Sequence, residues 1–388
     1  MDIKKEVNAL YDEMLTIRRD FHRHPELGLH EVRTSQIVYD RLNEMGMEVR
    51  RCTDTGVIGV LRGGAPGKTL LLRCDIDALP VKEESDVDFV SENPGVMHAC
   101  GHDAHTTIHL TTAKILATHK DEIPGTIIFL FQTNEEEAGA KLMIDAGAMD
   151  DPEPDNVAGF HIWTPIPTGD IGIVNGPIMA SSWYFRITIN GKGGHGGAPH
   201  TAINPIDAGA HVLEAIKTFH TLENDSLKPC VISVCEFHAG SKQIIVPDKA
   251  TLTGSIRSLN EGDAEIRKRF KELVEKVCDA YRCTCNVEFK CGNTILYNDP
   301  TMADLVRKAA NKVLGKGHIQ EQNVATMLGE DFAEFTDRKP GAFYFIGTRD
   351  EEVGSVYEHH NPKFKIDERT LPIAVELQLQ FVREYFQF

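Results

Sequence analysis

The run Thr126-Ile127-Ile128-Phe129-Leu130-Phe131 passes directly into Gln132-Thr133-Asn134-Glu135-Glu136-Glu137. A continuous apolar stretch of this length reads as a strand buried on both faces, the kind that parallel sheets covered by helices contain. The pattern recurs twice. Thr69-Leu70-Leu71-Leu72-Arg73-Cys74 leads into Asp75-Ile76-Asp77-Ala78-Leu79-Pro80, and Val157-Ala158-Gly159-Phe160 delivers His161. Polar side chains gathered at the ends of buried strands predict an α/β sheet whose chemistry lies outside the carboxyl ends of those strands.

Met97-His98-Ala99-Cys100-Gly101-His102-Asp103 supplies the softest ligands. Cys100 and His102 stand two apart, so extended backbone points both side chains the same way, and Gly101 lets the chain pass close to an ion. Joined by His161, the Glu135-Glu136 pair and His360, they offer a thiolate, imidazoles and carboxylate suited to a two-metal hydrolytic centre. Adjacent carboxylates are costly without a cation among them. In extended backbone, neighbouring glutamates would face opposite ways, one toward metal and one toward substrate as a base. Asp77 is expected to orient a ligand histidine, with a strand-stopping turn as the alternative. His105 and His109 fall at i, i+4 on a helix expected over 102–119. Thr106-Thr107 stands where a zincin-type helix needs glutamate, so both histidines read as structural.

Ile3, Val7, Leu10, Met14, Ile17 and Phe21 form one helical stripe, predicting a single N-terminal helix that stops at Arg23-His24-Pro25. A second helix is expected from Val32 to Met45. From Ser182 to about Gly292 the order changes to β-α-β-β-α-β, a ferredoxin-like module. Helix and strand alternation resumes after Asp299, so the simplest arrangement is one domain over 1–180 and 294–388, with 181–293 inserted. The insert's glycine-rich loop, Gly191 to His200, presents His195 and His200.

A formal net charge of −17, without a basic run to offset it, argues against nucleic acid or an anionic membrane as the partner. Neither a signal-length apolar core nor a membrane-length run is evident, which makes the cytoplasm the expected location. Nine cysteines at irregular spacing read as reduced thiols. Cys278, Cys283, Cys285 and Cys291 lack paired C-x-x-C spacing and are expected to be plain buried thiols.

Arg23 to Gly28, Asp75 to Pro80, Met97 to Asp103, Gln132 to Glu136, Gly159 to Trp163, Gly194-His195 with Pro199-His200, Gly254 to Arg257, and His360-Asn361-Pro362 together resemble the aminoacylase/carboxypeptidase metallohydrolase family. Within it they look like the amidohydrolase subfamily of hippurate, auxin-conjugate and N-acetyl-diaminopimelate hydrolases. The resemblance spans nearly the whole chain. It implies an α/β dinuclear-metal catalytic domain, related to exopeptidases, with an inserted ferredoxin-like lid and dimerisation domain. It further implies two divalent ions, manganese or zinc, on Cys100, His102, Glu136, His161 and His360, with Cys100 bridging. Glu135 becomes the general base, and His195, often from a partner subunit, stabilises the oxyanion. Arg257 would hold a substrate carboxylate.

The expected substrate is an N-acyl or N-aroyl amino acid, and the expected assembly a homodimer or a tetramer. Two departures from the family pattern, Ile244 where an asparagine is usual and Trp183 where an aspartate is common, point to a more apolar substrate. Competing readings are a dipeptidase or aminopeptidase, a hydrolytic deaminase of an aromatic amine, and a metal-binding protein without catalysis.

Overall fold

The computed structural model describes residues 1–260 and 262–388. They divide into two compact units, the first comprising Met1–Ile178, Tyr297–Ala325 and Asp331–Phe388, the second Met179–Leu296 and Thr326–Glu330.

The first unit is built on an eight-stranded mixed sheet. Its strands are β1 (Glu48–Cys52), β2 (Gly56–Arg62), β3 (Ala65–Asp75), β4 (Pro124–Gln132), β5 (Asn156–Pro167) and β6 (Ile171–Gly172), with two later strands, Ile319–Gln320 and Gly341–Arg349. The spatial order is β1, β2, β4, β3, β5, Gly341–Arg349, β6, Ile319–Gln320. Four central strands, β4, β3, β5 and Gly341–Arg349, run parallel. The three apolar runs occupy the middle of the sheet, where both faces are covered, and so need no polar alternation. Chain order reverses around β3. The strand after it pairs on one side and the next on the other, which opens a crevice at the carboxyl ends.

The N-terminal stripe folds as two helices, α1 (Ile3–Ala9) and α2 (Tyr11–Arg23), rather than one. Leu10 leaves the helical region (φ −104°, ψ 6°), and its N–H bonds to Val7 O three residues back. The apolar stripe survives the break, since Val7, Met14, Ile17 and Phe21 are all buried. Helix α3 (Val32–Glu44) follows as expected.

Helix α4 (His102–Thr118) is buried along almost its whole length despite its many threonines. Three of them satisfy their hydroxyls on the helix itself, Thr106 on His102 O, Thr107 on Asp103 O and Thr111 on Thr107 O, each at 2.8 Å.

In the second unit the strands Ser181–Asn190, Cys230–Ala239, Lys249–Ser258 and Thr284–Asn293 form an antiparallel sheet, with Ser181–Asn190 between Lys249–Ser258 and Thr284–Asn293. Helices Pro205–Thr218 and Asp263–Ala280 cover one face over Phe185, Ile187, Ile189, Val212, Phe270 and Val274. This is the ferredoxin-like arrangement. Trp183 serves this packing. Its indole N–H donates to Asp263 Oδ2 at 2.9 Å, and the Arg267 guanidinium lies 3.6 Å above the ring. Because both its polar edge and its ring face are engaged inside this unit, the residue is accounted for without a substrate. Ile244, by contrast, is 60% exposed. None of the nine cysteines is in a disulfide; Cys278 and Cys283 are buried, Cys285 is half-buried and Cys291 exposed.

Arg73 sits within β3, fully buried, and donates to Asp75, Asp331 and Gln132 at 2.8–2.9 Å. Removing it would leave two buried carboxylates without their cation. Arg73→Met is therefore expected to destabilise the first unit by about 3–5 kcal/mol. Urea unfolding read by Trp163 fluorescence, with Trp183 replaced by Phe, measures this; a change below about 1 kcal/mol would contradict the assigned role.

Candidate metal centre

The site assembles from three loops at the carboxyl ends of the central strands and one histidine on a strand. Gly101 begins α4 with φ +87°, and a Cβ there would meet Ile162 Cδ1 at 2.3 Å, so only glycine lets the chain turn between Cys100 and His102. After β4 the acidic run is not extended. Asn134 and Ala138 are left-handed and Glu135–Glu137 form a 3₁₀ turn between them, which presents Glu135 and Glu136 from a tight bend instead of from opposite faces of a strand. Buried Glu31 fixes that bend by accepting from Asn134 N–H at 2.9 Å and from the Thr133 hydroxyl at 2.7 Å. His360, also left-handed, is tied by its N–H to Ala99 O at 2.8 Å.

Among the described residues five groups of ligand atoms are drawn together within 4.8 Å, and two of them contain Cys100: Cys100 with His102 and His161, and Cys100 with Glu136 and His360. Cys100 belongs to both. Its Sγ lies 3.4 Å from His161 Nε2, and Glu136 Oε1 lies 3.2 Å from His360 Nε2. Such separations match the edges of a tetrahedron with metal bonds of about 2.0–2.3 Å. Two of the donor atoms, His102 Nε2 and Glu136 Oε1, are buried without a hydrogen bond. A buried polar atom without a hydrogen bond is costly even beside a charged group, as His102 Nε2 is to Asp75 Oδ2 at 3.7 Å and Glu136 Oε1 to His360 Nε2 at 3.2 Å, and a divalent ion at these positions would satisfy both. The donor set thus fits a pair of ions that share a thiolate.

Asp77 links the two groups. Its Oδ1 accepts from His102 Nδ1 at 3.0 Å, which turns Nε2 toward the centre, and its Oδ2 accepts from Glu136 N–H at 3.2 Å. Burial pushes the Cys100 thiol well above its ordinary value, and the nearby Glu136 and Glu135 push it further. His102 loses some basicity to burial, but Asp75 and Asp77 more than compensate and raise it to about 10. His161 is held well below the usual imidazole range by burial and by neighbouring His105 and His359, and is ready as a neutral donor.

His105 and His109 hold structural partners. His109 Nε2 bonds to Leu72 O at 3.1 Å, while His105 Nδ1 bonds to Asp75 Oδ1 at 2.6 Å. The sequence places Asp75 at the end of a buried strand but does not show its ion pair with Arg73, and it does not single out Asp331 or Glu31, although an arginine and an aspartate at the end of an apolar strand signal a buried ion pair.

The remaining expected residues belong to the second unit. Gly194-His195 pairs with Ile245-Val246, His195 is exposed, and its Nδ1 accepts from Gly197 N–H at 2.9 Å. Arg257 lies opposite Ser182 across the strands, and its Nη1 donates to Met327 O at 3.4 Å.

Residues 71–384 match the family described as Peptidase family M20/M25/M40. The chain belongs to this family. It is 40% identical over 379 residues to thermostable carboxypeptidase 2 of Saccharolobus solfataricus, covering 96% of this chain and 95% of the relative. It is 42% identical over 279 residues to an N-acyl-L-amino acid amidohydrolase of Geobacillus stearothermophilus, covering 71% and 74%. Among solved structures, a dinuclear metal binding peptidase of the M20 family from Bacillus subtilis superposes with a TM-score of 0.86 at 29% identity over 98% of this chain and 99% of that one. The family resemblance carried by the motifs is borne out, and so is the mixed α/β fold.

Cys100 and His102 both hold protons at neutral pH and must lose them to bind metal, so affinity should rise with pH. At pH 7 about two protons should leave per protein loaded with Zn²⁺, measured by calorimetry in buffers of different ionisation enthalpy. Binding without proton release would contradict the assigned ligands.

Proposed function

We propose that the chain is a metal-dependent amidohydrolase that cleaves N-acyl or N-aroyl amino acids to a carboxylic acid and a free amino acid. The observation that carries this reading is Glu135, a carboxylate on the same short turn as Glu136 and beside His102 but additional to the ligands that a thiolate-bridged pair needs. Two divalent ions, manganese or zinc, on Cys100, His102, Glu136, His161 and His360 would supply an acidified water and a polarised carbonyl.

Glu135 takes the proton from the attacking water and returns it to the amine nitrogen as the C–N bond breaks. Asp77 keeps His102 and the Glu136 backbone in register throughout. His195 donates to the developing oxyanion, and Arg257 engages the carboxylate of the amino acid through its planar fork. The support for these two roles is the match of Gly194-His195 and Gly254-Ser255-Ile256-Arg257 to the family motifs.

An N-acyl amino acid and the C-terminal residue of a peptide present the same groups, an amide with a carboxylate one carbon away. The names of the two relatives agree with that shared feature, and peptides are accordingly the second substrate class. The smaller unit is proposed to dimerise along its edge strand Cys230–Ala239, where Val231 and Phe237 are exposed. Nine cysteines outside any disulfide favour the reducing cytoplasm. Among the described residues no helix is long and apolar enough to cross a membrane.

Glu135→Gln should lower kcat by about 10²–10⁴-fold while two equivalents of Zn²⁺ still bind. Loss of an equivalent would instead make Glu135 a ligand. Arg257→Ala should raise KM for N-acetyl and N-benzoyl amino acids by roughly 10–100-fold, and much less for their amides, because a charge-assisted contact is lost. Equal effects on acids and amides would remove Arg257 from the substrate site.

A further inference from the structure

We infer that His105 is a positioning residue that sets the spacing between His102 and His161, and so governs one of the two metal subsites selectively. The inference rests on the two-ion reading of the centre.

Strand β3 pairs with β5 only as far as Arg73 opposite Gly159, although β3 itself continues to Asp75 in register with β4. From there the Ile162 N–H has no strand partner on that side. His105, one turn into α4 from His102, fills the gap: its Nε2 accepts from Ile162 N–H at 3.0 Å. That bond fixes the tautomer, because an Nε2 that accepts leaves the proton on Nδ1, which donates to Asp75 Oδ1 at 2.6 Å. The ring therefore clamps the end of β3 to β5 through two hydrogen bonds, and it stands edge-on to His161 with ring centres 4.5 Å apart.

Each end of the clamp adjoins a ligand. On β5 the residue held is the neighbour of His161, and Ile162 O accepts from His161 Nδ1 at 2.5 Å, which aims Nε2 at Cys100. At the other end, Asp75 Oδ2 lies 3.7 Å from His102 Nε2 and is held back by Arg73 at 2.9 Å. With both oxygens engaged, Asp75 is disfavoured as a ligand, although its carboxylate lies within 4.8 Å of ring nitrogens of His102 and His105. No such contact of His105 runs to Glu136 or His360, whose positions depend on Asp77, the 3₁₀ turn and the Ala99 carbonyl. The two subsites should respond differently to its loss.

The test is Zn²⁺ titration against a competing chelator, using the full chain. Two variants approach the clamp from opposite sides: His105→Phe keeps the aromatic packing but neither hydrogen bond, and Asp75→Asn keeps the shape at the other end. Both should retain the far-UV spectrum and one equivalent bound within about three-fold of wild type, while the second weakens roughly 10–100-fold, the usual consequence of removing a group that orients a ligand. With Co²⁺, the thiolate charge-transfer band should persist at one equivalent, since Cys100 still serves the remaining subsite. Unchanged affinity at both equivalents, or an equal loss at both, would overturn the inference. A wild-type protein that binds fewer than two equivalents would overturn the two-ion reading itself, and this inference with it.

Discussion

Four carboxylates, Glu31, Asp75, Asp77 and Asp331, are buried behind the candidate metal centre, each exposed by 1% or less. Uncompensated, that much negative charge would be prohibitive, and each is answered by a specific donor. Arg73 serves Asp75 and Asp331, His105 serves Asp75, His102 serves Asp77, and Glu31 takes the Thr133 hydroxyl and Asn134 N–H. Burial would raise the Asp75 carboxyl, yet His102, His105 and Arg73 hold it well below the usual range. The ends of β3 and β4 and the start of α4 are joined through these bonds, and β5 is joined to them by the Ile162 N–H donated to His105. Ligand geometry follows from them, because the same bonds set where Nε2 of His102 and the Glu135-Glu136 turn come to rest.

The parallel core was legible because three apolar runs of strand length admit few other fates, and their polar ends located the site. Cys100 and His102 were legible from spacing and glycine alone. The 3₁₀ turn at Glu135 was not, since nothing in Asn134-Glu135-Glu136-Glu137-Ala138 announces two left-handed residues, and their cause lies about a hundred residues away in Glu31. The break at Leu10 was hidden for a similar reason: the apolar stripe runs through it undisturbed, so periodicity cannot detect a lost helical bond. His105 looked like an incomplete zincin-type motif. Its partners, Asp75 and the Ile162 backbone, meet it only once β3 and β5 are side by side.

Trp183 shows the opposite lesson. As a departure from a family pattern it invited a substrate-based explanation, but Asp263 and Arg267, one helix away in the same unit, account for its ring and its N–H. Ile244 has no such partners and stays exposed beside the His195 loop, where Gly196 N–H donates to its carbonyl at 2.8 Å. Of the two departures, Ile244 is the one whose side chain is available to a ligand.

The central claim is that a single thiolate, Cys100, belongs to both ion positions. X-ray absorption at the zinc edge of the fully loaded protein tests it directly. The account predicts a zinc–sulfur shell near ~2.3 Å averaging about one sulfur per zinc, together with a zinc–zinc vector of about 3.5–4 Å. A spectrum with sulfur at half that occupancy, or with no metal–metal vector, would contradict a shared thiolate.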